Sequence, residues 1–363
     1  MVNNFYIADF SLPNKSAYSV HVLKICDAFN ELNKKKITLL LPYIQDDYSF
    51  KRIQKDYFLK FSPIIKKFFL KKQKFNFIKR IFLAFKIYFF LKDKKKDLII
   101  SRSIITSLIL AGLNIKNILE IHTELTGVTK FFFQSLKINF IKKNLKFIFI
   151  SEKLRKIYKI EKKQSLILYD AVDYRDFKPT KKRIYRKACF YSGSFTKGKG
   201  VEIISKVAKI LPDYKFHLYG NIDTIGDKKF LDQKNIFLKG FLTYSKLVNV
   251  IDNYKVLMMP YQKKVGVLID GIDVAKYFSP LKMFDYMASG KIIIASDLNV
   301  YKKILINNSN SIIIKDNAFA WAKKIKECFK SNKYDYLGST ARENSKNYSW
   351  INRVIKIKEF NEK

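Results

Sequence analysis

The chain alternates short apolar runs with longer stretches whose apolar residues recur every three or four positions. Runs of strand length fall at Phe5–Ala8, Ile37–Leu41, Leu98–Ser101, Ile118–His122, Phe147–Ser151 and Leu166–Tyr169. Helical spacing between them predicts helices over Ser16–Leu32, Ser62–Leu91, Ile104–Ala111 and Glu152–Tyr158. After a polar, basic stretch holding Pro179 the alternation restarts. Strand-like runs at Ala188–Ser192, Lys215–Tyr219, Ile236–Leu238, Val256–Pro260, Ile292–Ala295 and Ile312–Ile314 are interleaved with helical stretches at Lys199–Leu211, Tyr244–Tyr254 and Phe319–Phe329. Strands alternating with helices predict an α/β chain with two doubly wound, parallel-sheet, Rossmann-like domains. The boundaries read as a first domain over residues 1–170, a linker over 171–187, a second domain over 188–346 and a terminal helix over 347–363. Parallel sheets bind ligands beyond the carboxyl ends of their strands, so two such domains facing each other would enclose a substrate cleft.

One stretch carries specific chemistry, running from Tyr277 through Ser279-Pro280-Leu281-Lys282 and Asp285 to Gly290. Proline suits the first turn of a helix, where its missing N–H has no partner, and glycine suits the exit. A helix opening at Ser279-Pro280 presents unpaired N–H groups and the positive end of its dipole, which favours an anion. Lys282 in that turn adds a mobile full charge, and Asp285, one turn deeper, can accept hydrogen bonds from hydroxyls. Phosphate beside hydroxyls suggests a nucleotide-sugar. A plain strand–helix unit with a surface lysine explains these residues, taken alone, equally well.

Composition narrows the setting. A chain of 363 residues, 48% hydrophobic with 32 phenylalanines and 22 tyrosines, has ample material for packed cores. The net charge is +40, carried by 62 lysines but only nine arginines. Such a surface attracts phosphorylated substrates and anionic lipid. Nucleic acid is disfavoured as a partner by the scarcity of arginine and the lack of a recognisable binding module. Cys26, Cys189 and Cys328 lack metal or redox spacing and read as packed thiols of a cytoplasmic protein. The three histidines are far apart in sequence and no Asp-x-Asp triplet occurs, so neither a zinc site nor a metal-bound nucleotide is expected. Asp270 and Asp273 read as turn formers, His217 as a core residue and His21 as a helix-surface or helix-packing residue. No signal peptide or membrane span is evident. Between Lys51 and Lys96, however, 16 basic residues face only Asp56 and Asp93, with ten phenylalanines among them. Basic and aromatic residues at helical spacing suit an anionic bilayer surface, the alternative being a solvated helix pair with inward-facing phenylalanines.

Further strand ends repeat the phosphate-binding theme. Tyr191-Ser192-Gly193-Ser194 leads to Lys199-Gly200; Gly220 and Gly240 mark two more corners; Met259-Pro260-Tyr261 ends another strand; Glu120-Ile121-His122 ends one in the first half. In order and spacing these residues resemble the group 1 glycosyltransferases (glycosyltransferase family 4, GT-B fold), in particular a branch with Ser-Pro-Leu-Lys. Weaker matches are Ser19-Val20-His21-Val22, Ile150-Ser151-Glu152-Lys153-Leu154, Asp170-Ala171-Val172-Asp173, and Tyr348-Ser349-Trp350 with Arg353-Val354 near the end.

The resemblance implies two domains across a cleft, with the last helix packing back on the first domain. It implies a metal-independent, retaining transferase that moves a sugar from a nucleotide-diphosphate donor to a hydroxyl of a surface glycan or lipid-linked intermediate, as in polysaccharide or lipopolysaccharide assembly. His122, Lys199 and Lys282 would take catalytic roles. Gly193, Ser194, Gly220, Tyr261, Ser279, Pro280, Leu281 and Asp285 would bind the donor. Tyr277 stands where the family has the first of two glutamates, and Ser194 where it often has arginine. No cofactor is implied, and the expected location is cytoplasmic, peripheral on the inner face of the cell membrane. The alternatives are another GT-B activity, such as nucleotide-sugar epimerisation, or a non-catalytic basic protein binding nucleic acid or anionic surfaces.

Overall fold

The computed structural model of the chain describes residues 3–32, 36–72, 76–135, 142–178, 185–225, 231–265 and 273–362. The chain divides into two compact units, one of Met1–Tyr169 with Trp350–Lys363, the other of Asp170–Ser349.

In the first unit the chain forms β1 (Asn3–Ile7), β2 (Ser11–Leu12), β3 (Ile37–Leu41), β4 (Tyr43–Ile44), β5 (Ile64–Lys67), β6 (Lys96–Ser101), β7 (Asn117–Ile121), β8 (Leu145–Phe149) and β9 (Ser165–Ile167). Seven of these make one parallel sheet in the order β5-β3-β1-β6-β7-β8-β9, while β2 and β4 form a small parallel pair. The strand order reverses between β1 and β6, the position at which doubly wound sheets open a crevice.

One expected helix is not continuous. In place of a helix over Ser62–Leu91 the chain makes β5 and then a helix over Phe77–Leu91. Pro63 restricts the backbone before it, and Ile64-Ile65 are β-branched, which favours pairing with β3 over a helical start. Asn76 caps the later helix, its side-chain oxygen accepting the Lys79 N–H at 2.9 Å. That helix buries Leu83, Ile87 and Leu91 against Phe5, Ile7, Leu40 and Ile99 of the sheet. The last helix, Trp350–Glu362, packs on the helix Ala17–Leu32, and Lys146 donates to the carbonyls of Phe360 and Asn361 at 2.9 and 3.1 Å. The return of the chain's end to the first unit therefore holds.

The second unit has β10 (Ala188–Ser192), β11 (Lys215–Tyr219), β12 (Ile236–Gly240), β13 (Val256–Met259), β14 (Ile292–Ser296) and β15 (Ile312–Ile314) in the parallel order β12-β11-β10-β13-β14-β15. Its reversal lies between β10 and β13. Helices Val201–Ile210 and Ala318–Lys330 cover one face, burying Ile204, Val207, Trp321 and Ile325 against Cys189, Phe216, Val256 and Ile294. A helix at Asp335–Ser345, absent from the sequence reading, packs against the helix Leu281–Ser289. No helix of the described residues is long and apolar enough to cross a membrane.

Candidate active site

The carboxyl ends of β10 and β13 carry most of the residues singled out from the sequence. The chain leaves β10 at Gly193, whose φ of 146° suits glycine. A Cβ built there would stand 2.7 Å from Lys282 Nζ, so the missing side chain makes room for that amine. Gly220, after β11, approaches Gly193 so closely that a Cβ would meet its carbonyl oxygen at 2.0 Å. Ser194 is half-buried; its carbonyl accepts the Tyr191 hydroxyl at 2.8 Å.

The helix Leu281–Ser289 opens at this corner and ends at Gly290, whose φ of 70° is left-handed as its exit role requires. Pro280 is the residue before the helix, not part of its first turn, and no side chain caps the opening. Ser279, the natural cap, is engaged elsewhere: its hydroxyl accepts the Asp170 N–H at 3.0 Å. The leading N–H groups of the helix, at Leu281 and Lys282, have no intrahelical acceptor, and an anion there would be stabilised.

Lys282 is not the mobile charge expected. It is 9% exposed, and its Nζ has no hydrogen-bond partner among the described residues. The amine sits 4.0 Å from the ring centre of Tyr191 and 4.7 Å from that of Tyr261. Lys199 shares the Tyr261 ring from the loop ahead of Val201–Ile210, standing 5.0 Å from Tyr261 and 5.9 Å from Phe278. Gly200 takes the cap position of that helix with φ 97°, so Lys199 lies just outside the helix it was expected to open. Burial, aided by repulsion from Lys199, holds the Lys282 amine well below the ordinary lysine range. Burial brings Lys199 down to about 8. Two lysine amines gathered on one aromatic wall, with no ion pair to a carboxylate among the described residues, form a site that an accept-only dianion would complete.

Tyr261 packs edge-on to Phe278 at 5.0 Å and beside Tyr301 at 6.5 Å, which closes the aromatic wall. Tyr286 anchors the helix to β10 by accepting the Ser192 N–H at 2.9 Å. The sequence reading gave no role to Tyr191, Phe278, Tyr286 or Tyr301. The available signal was the recurrence of tyrosine at strand ends. Asp285 is buried, as its apolar neighbours suggested, and accepts the Tyr244 hydroxyl at 3.0 Å. Tyr277 is fully buried. Asp273 forms a turn, accepting the N–H groups of Val265 and Ala275 at 2.9 and 3.0 Å. Asp270 lies outside the described residues.

His122 belongs to the first unit and to a different cluster. It follows β7, whose residue Glu120 is a buried carboxylate. Glu120 Oε2 accepts the Tyr6 hydroxyl at 2.7 Å, and Oε1 meets His122 Nε2 at 2.7 Å, His21 Nε2 at 2.8 Å and the Arg353 guanidinium. Burial alone would raise the Glu120 carboxyl, but His21, Arg353 and His122 hold it well below the usual carboxylate range. Burial, with the nearby Arg102 cation, pushes His122 down to about 3. His21 is thus no surface residue: its ring lies 4.8 Å from that of His122 and 4.9 Å from that of Trp350. Two of the three histidines, far apart in sequence, meet on one carboxylate, and their ligand atoms lie within 4.8 Å of one another. The Arg353 guanidinium shares the same oxygen, so the cluster stands as a hydrogen-bonded ion pair. His217 is a core residue as expected, with Nδ1 2.7 Å from the Tyr254 hydroxyl.

This fold is shared by known enzymes. A glycosyltransferase from Rickettsia africae ESF-5 is 13% identical with a TM-score of 0.73, each chain covered to 99%. HepE of Anabaena, solved with UDP and glucose, is 12% identical with a TM-score of 0.73 and 99% coverage of each chain. TarM of S. aureus, solved as a variant with Fondaparinux, alpha-GlcNAc-glycerol and UDP, is 14% identical with a TM-score of 0.75 over 100% of each chain. No curated protein matches the sequence. The two parallel-sheet units therefore make a GT-B fold. The family model for glycosyl transferases group 1 matches residues 174–344, nearly the whole second unit.

Proposed function

We propose that this chain is a retaining glycosyltransferase that moves a sugar from a nucleotide-diphosphate donor to a hydroxyl of a surface glycan or its lipid-linked precursor. The observation that carries the donor class is the buried Lys282 amine, without a hydrogen-bond partner among the described residues, beside Gly193 and Lys199 at an uncapped helix opening. In the transfer, the bond from the anomeric carbon to the diphosphate breaks and the acceptor oxygen bonds that carbon. The acceptor proton passes to a phosphate oxygen. Negative charge grows on the leaving phosphate, where the two amines and the helix N–H groups would stabilise it; losing one such donor typically costs ~10²–10³ in rate. Asp285, buried one turn into the same helix, is suited to accept from a donor hydroxyl. With a dianion bound, the two amines and the helix opening would supply the positive charge that a metal otherwise brings, so turnover in excess chelator should stay within a small factor of that with magnesium.

Titrating UDP and uridine into the parent and into Lys199→Ala and Lys282→Ala tests the donor site. Both variants should lose affinity for the diphosphate and keep that for the nucleoside. Equal losses for the two ligands would show that the lysines do not read phosphate.

The lipid-linked acceptor is supported by the helix Phe77–Leu91, which is apolar on two faces. Leu83, Ala84, Ile87 and Leu91 are buried, while Ile78, Phe82, Phe85 and Phe89, spaced four, three and four apart, are exposed. The outer stripe, with Lys79, Arg80, Lys86 and Lys92 on the same helix and at its end, has the composition of a surface that lies in an anionic bilayer interface. On this reading the enzyme works at the cytoplasmic face of the membrane without spanning it.

A further inference from the structure

We propose that the Tyr301 hydroxyl is a third hydrogen-bond donor to the ligand diphosphate, completing the site that Lys199 and Lys282 begin. This role rests on the reading of that site as one for a diphosphate, and it concerns the second unit alone.

Tyr301 lies in the loop that leaves the carboxyl end of β14, the strand paired with β13, so it stands where parallel sheets take their ligands. Its backbone is fully engaged. The N–H donates to the Leu298 carbonyl at 3.0 Å, and the carbonyl accepts the N–H groups of Ile304 and Leu305, each at 2.7 Å. The ring is held as well, edge-on to Phe278 at 5.9 Å and tilted against Tyr261 at 6.5 Å. Those two rings are the ones Lys199 stands over, and Tyr261 also carries Lys282. Tyr301 therefore packs on the wall of the lysine cage.

Only its hydroxyl is left over. Tyr301 is 1% exposed, and its oxygen has no hydrogen-bond partner among the described residues. A buried hydroxyl without a partner is destabilising, and phenylalanine would fill the same space without that cost. Other hydroxyls around the cage are used within the fold: Tyr191 donates to the Ser194 carbonyl, and Tyr286 accepts the Ser192 N–H. Burial holds the Tyr301 phenol well above the ordinary tyrosine range, and Tyr261 and Tyr191 oppose its ionisation further, so near neutral pH it is an intact O–H. Those two tyrosines are the ones on whose rings Lys282 rests, which puts the hydroxyl in the same enclosure as the amines. A diphosphate has more acceptor oxygens than two amines fill. A hydroxyl adds one directed bond to it, strengthened by the ligand's charge, without adding a third cation to a site where two already repel.

Tyr301→Phe removes one oxygen and keeps the ring. Calorimetric titration of the full chain with UDP and with inorganic pyrophosphate should show affinity for both reduced about tenfold or more, the usual weight of a hydrogen bond to a charged group. Affinity for uridine should be unchanged, and the ligand-free variant should melt no lower than the parent. Tyr254→Phe is the matched control, because that buried hydroxyl is satisfied, 2.7 Å from His217 Nδ1 and 3.0 Å from the Tyr219 hydroxyl. It should melt lower than the parent and bind UDP as the parent does. A Tyr301→Phe variant that melts lower, or that binds UDP and pyrophosphate as tightly as the parent, overturns the proposal; if Lys282→Ala still loses UDP, the diphosphate reading survives. If the parent binds neither UDP nor pyrophosphate, that reading fails and the role of Tyr301 with it.

Discussion

A lysine amine buried without a hydrogen bond is a residue-scale cost kept for a ligand. Leaving a buried polar group unsatisfied costs ~1–3 kcal/mol, and the Tyr191 face 4.0 Å from Lys282 Nζ offsets only part of it. Lys282→Met, of similar length and apolar, should therefore raise the melting temperature of the ligand-free protein by a few degrees while abolishing diphosphate binding. Calorimetry with and without UDP reads both effects; a destabilised variant would mean that the amine is a structural anchor. Lys199 adds a pH dependence whose sign is fixed. Its amine titrates at about 8 when the site is empty, and a bound dianion favours the protonated form. Diphosphate affinity should fall as pH rises through 8, and binding at pH 8 should draw protons from the buffer, visible as a heat that varies with buffer ionisation enthalpy. A heat independent of buffer would place no titrating amine at the phosphate. The placement of these lysines at helix openings was legible in the sequence, because glycine, proline and lysine punctuate strand–helix turns. Their burial was not, since it depends on Tyr191, Tyr261 and Phe278, which are remote from one another along the chain and meet only when the sheet forms. The Glu120 cluster was hidden for the same reason: Tyr6, His21, Glu120 and Arg353 share no local pattern.

At the scale of elements, the sequence was most legible where the apolar period was clean. The strand at Ala188–Ser192 and that at Lys215–Tyr219 have the expected ends, because each is a short buried run bounded by turn residues. It failed where apolar residues were plentiful on every side. Between Ser62 and Leu91 phenylalanine and lysine recur at any period one chooses, so the signal of Pro63, just ahead of β5, was outweighed. The same excess explains the two apolar faces of that helix, only one of which the sheet can cover. Its outer stripe gives an element-scale prediction. Changing Phe82, Phe85 and Phe89 to serine should weaken partition onto anionic vesicles by ~10²-fold or more, since full transfer of one phenylalanine gains ~1.5–3 kcal/mol and insertion here is partial. These side chains are exposed, so the melting temperature should change little. Unchanged sedimentation with vesicles would show that the stripe meets no bilayer.

For the whole molecule the decisive quantity is the +40 charge. A charge of that size attracts any polyanion at long range, so binding to anionic vesicles is not by itself a sign of a membrane site. Salt separates the contributions. Screening shortens the Debye length from ~10 Å at 0.1 M to ~3 Å at 1 M, which removes diffuse attraction, whereas apolar insertion persists once the helix Phe77–Leu91 has reached the interface. Binding to duplex DNA, which offers phosphates without an apolar phase, should therefore collapse as salt rises to 1 M. Binding to vesicles rich in anionic lipid should fall and then level off. The residual vesicle binding at high salt should disappear in the variant lacking Phe82, Phe85 and Phe89, and donor affinity should be unaffected because the lysine cage lies in the other unit. If vesicle and DNA binding decline together to nothing, the attraction belongs to the charged surface at large, and the lysines of this chain bring it to membranes no more than to any other polyanion.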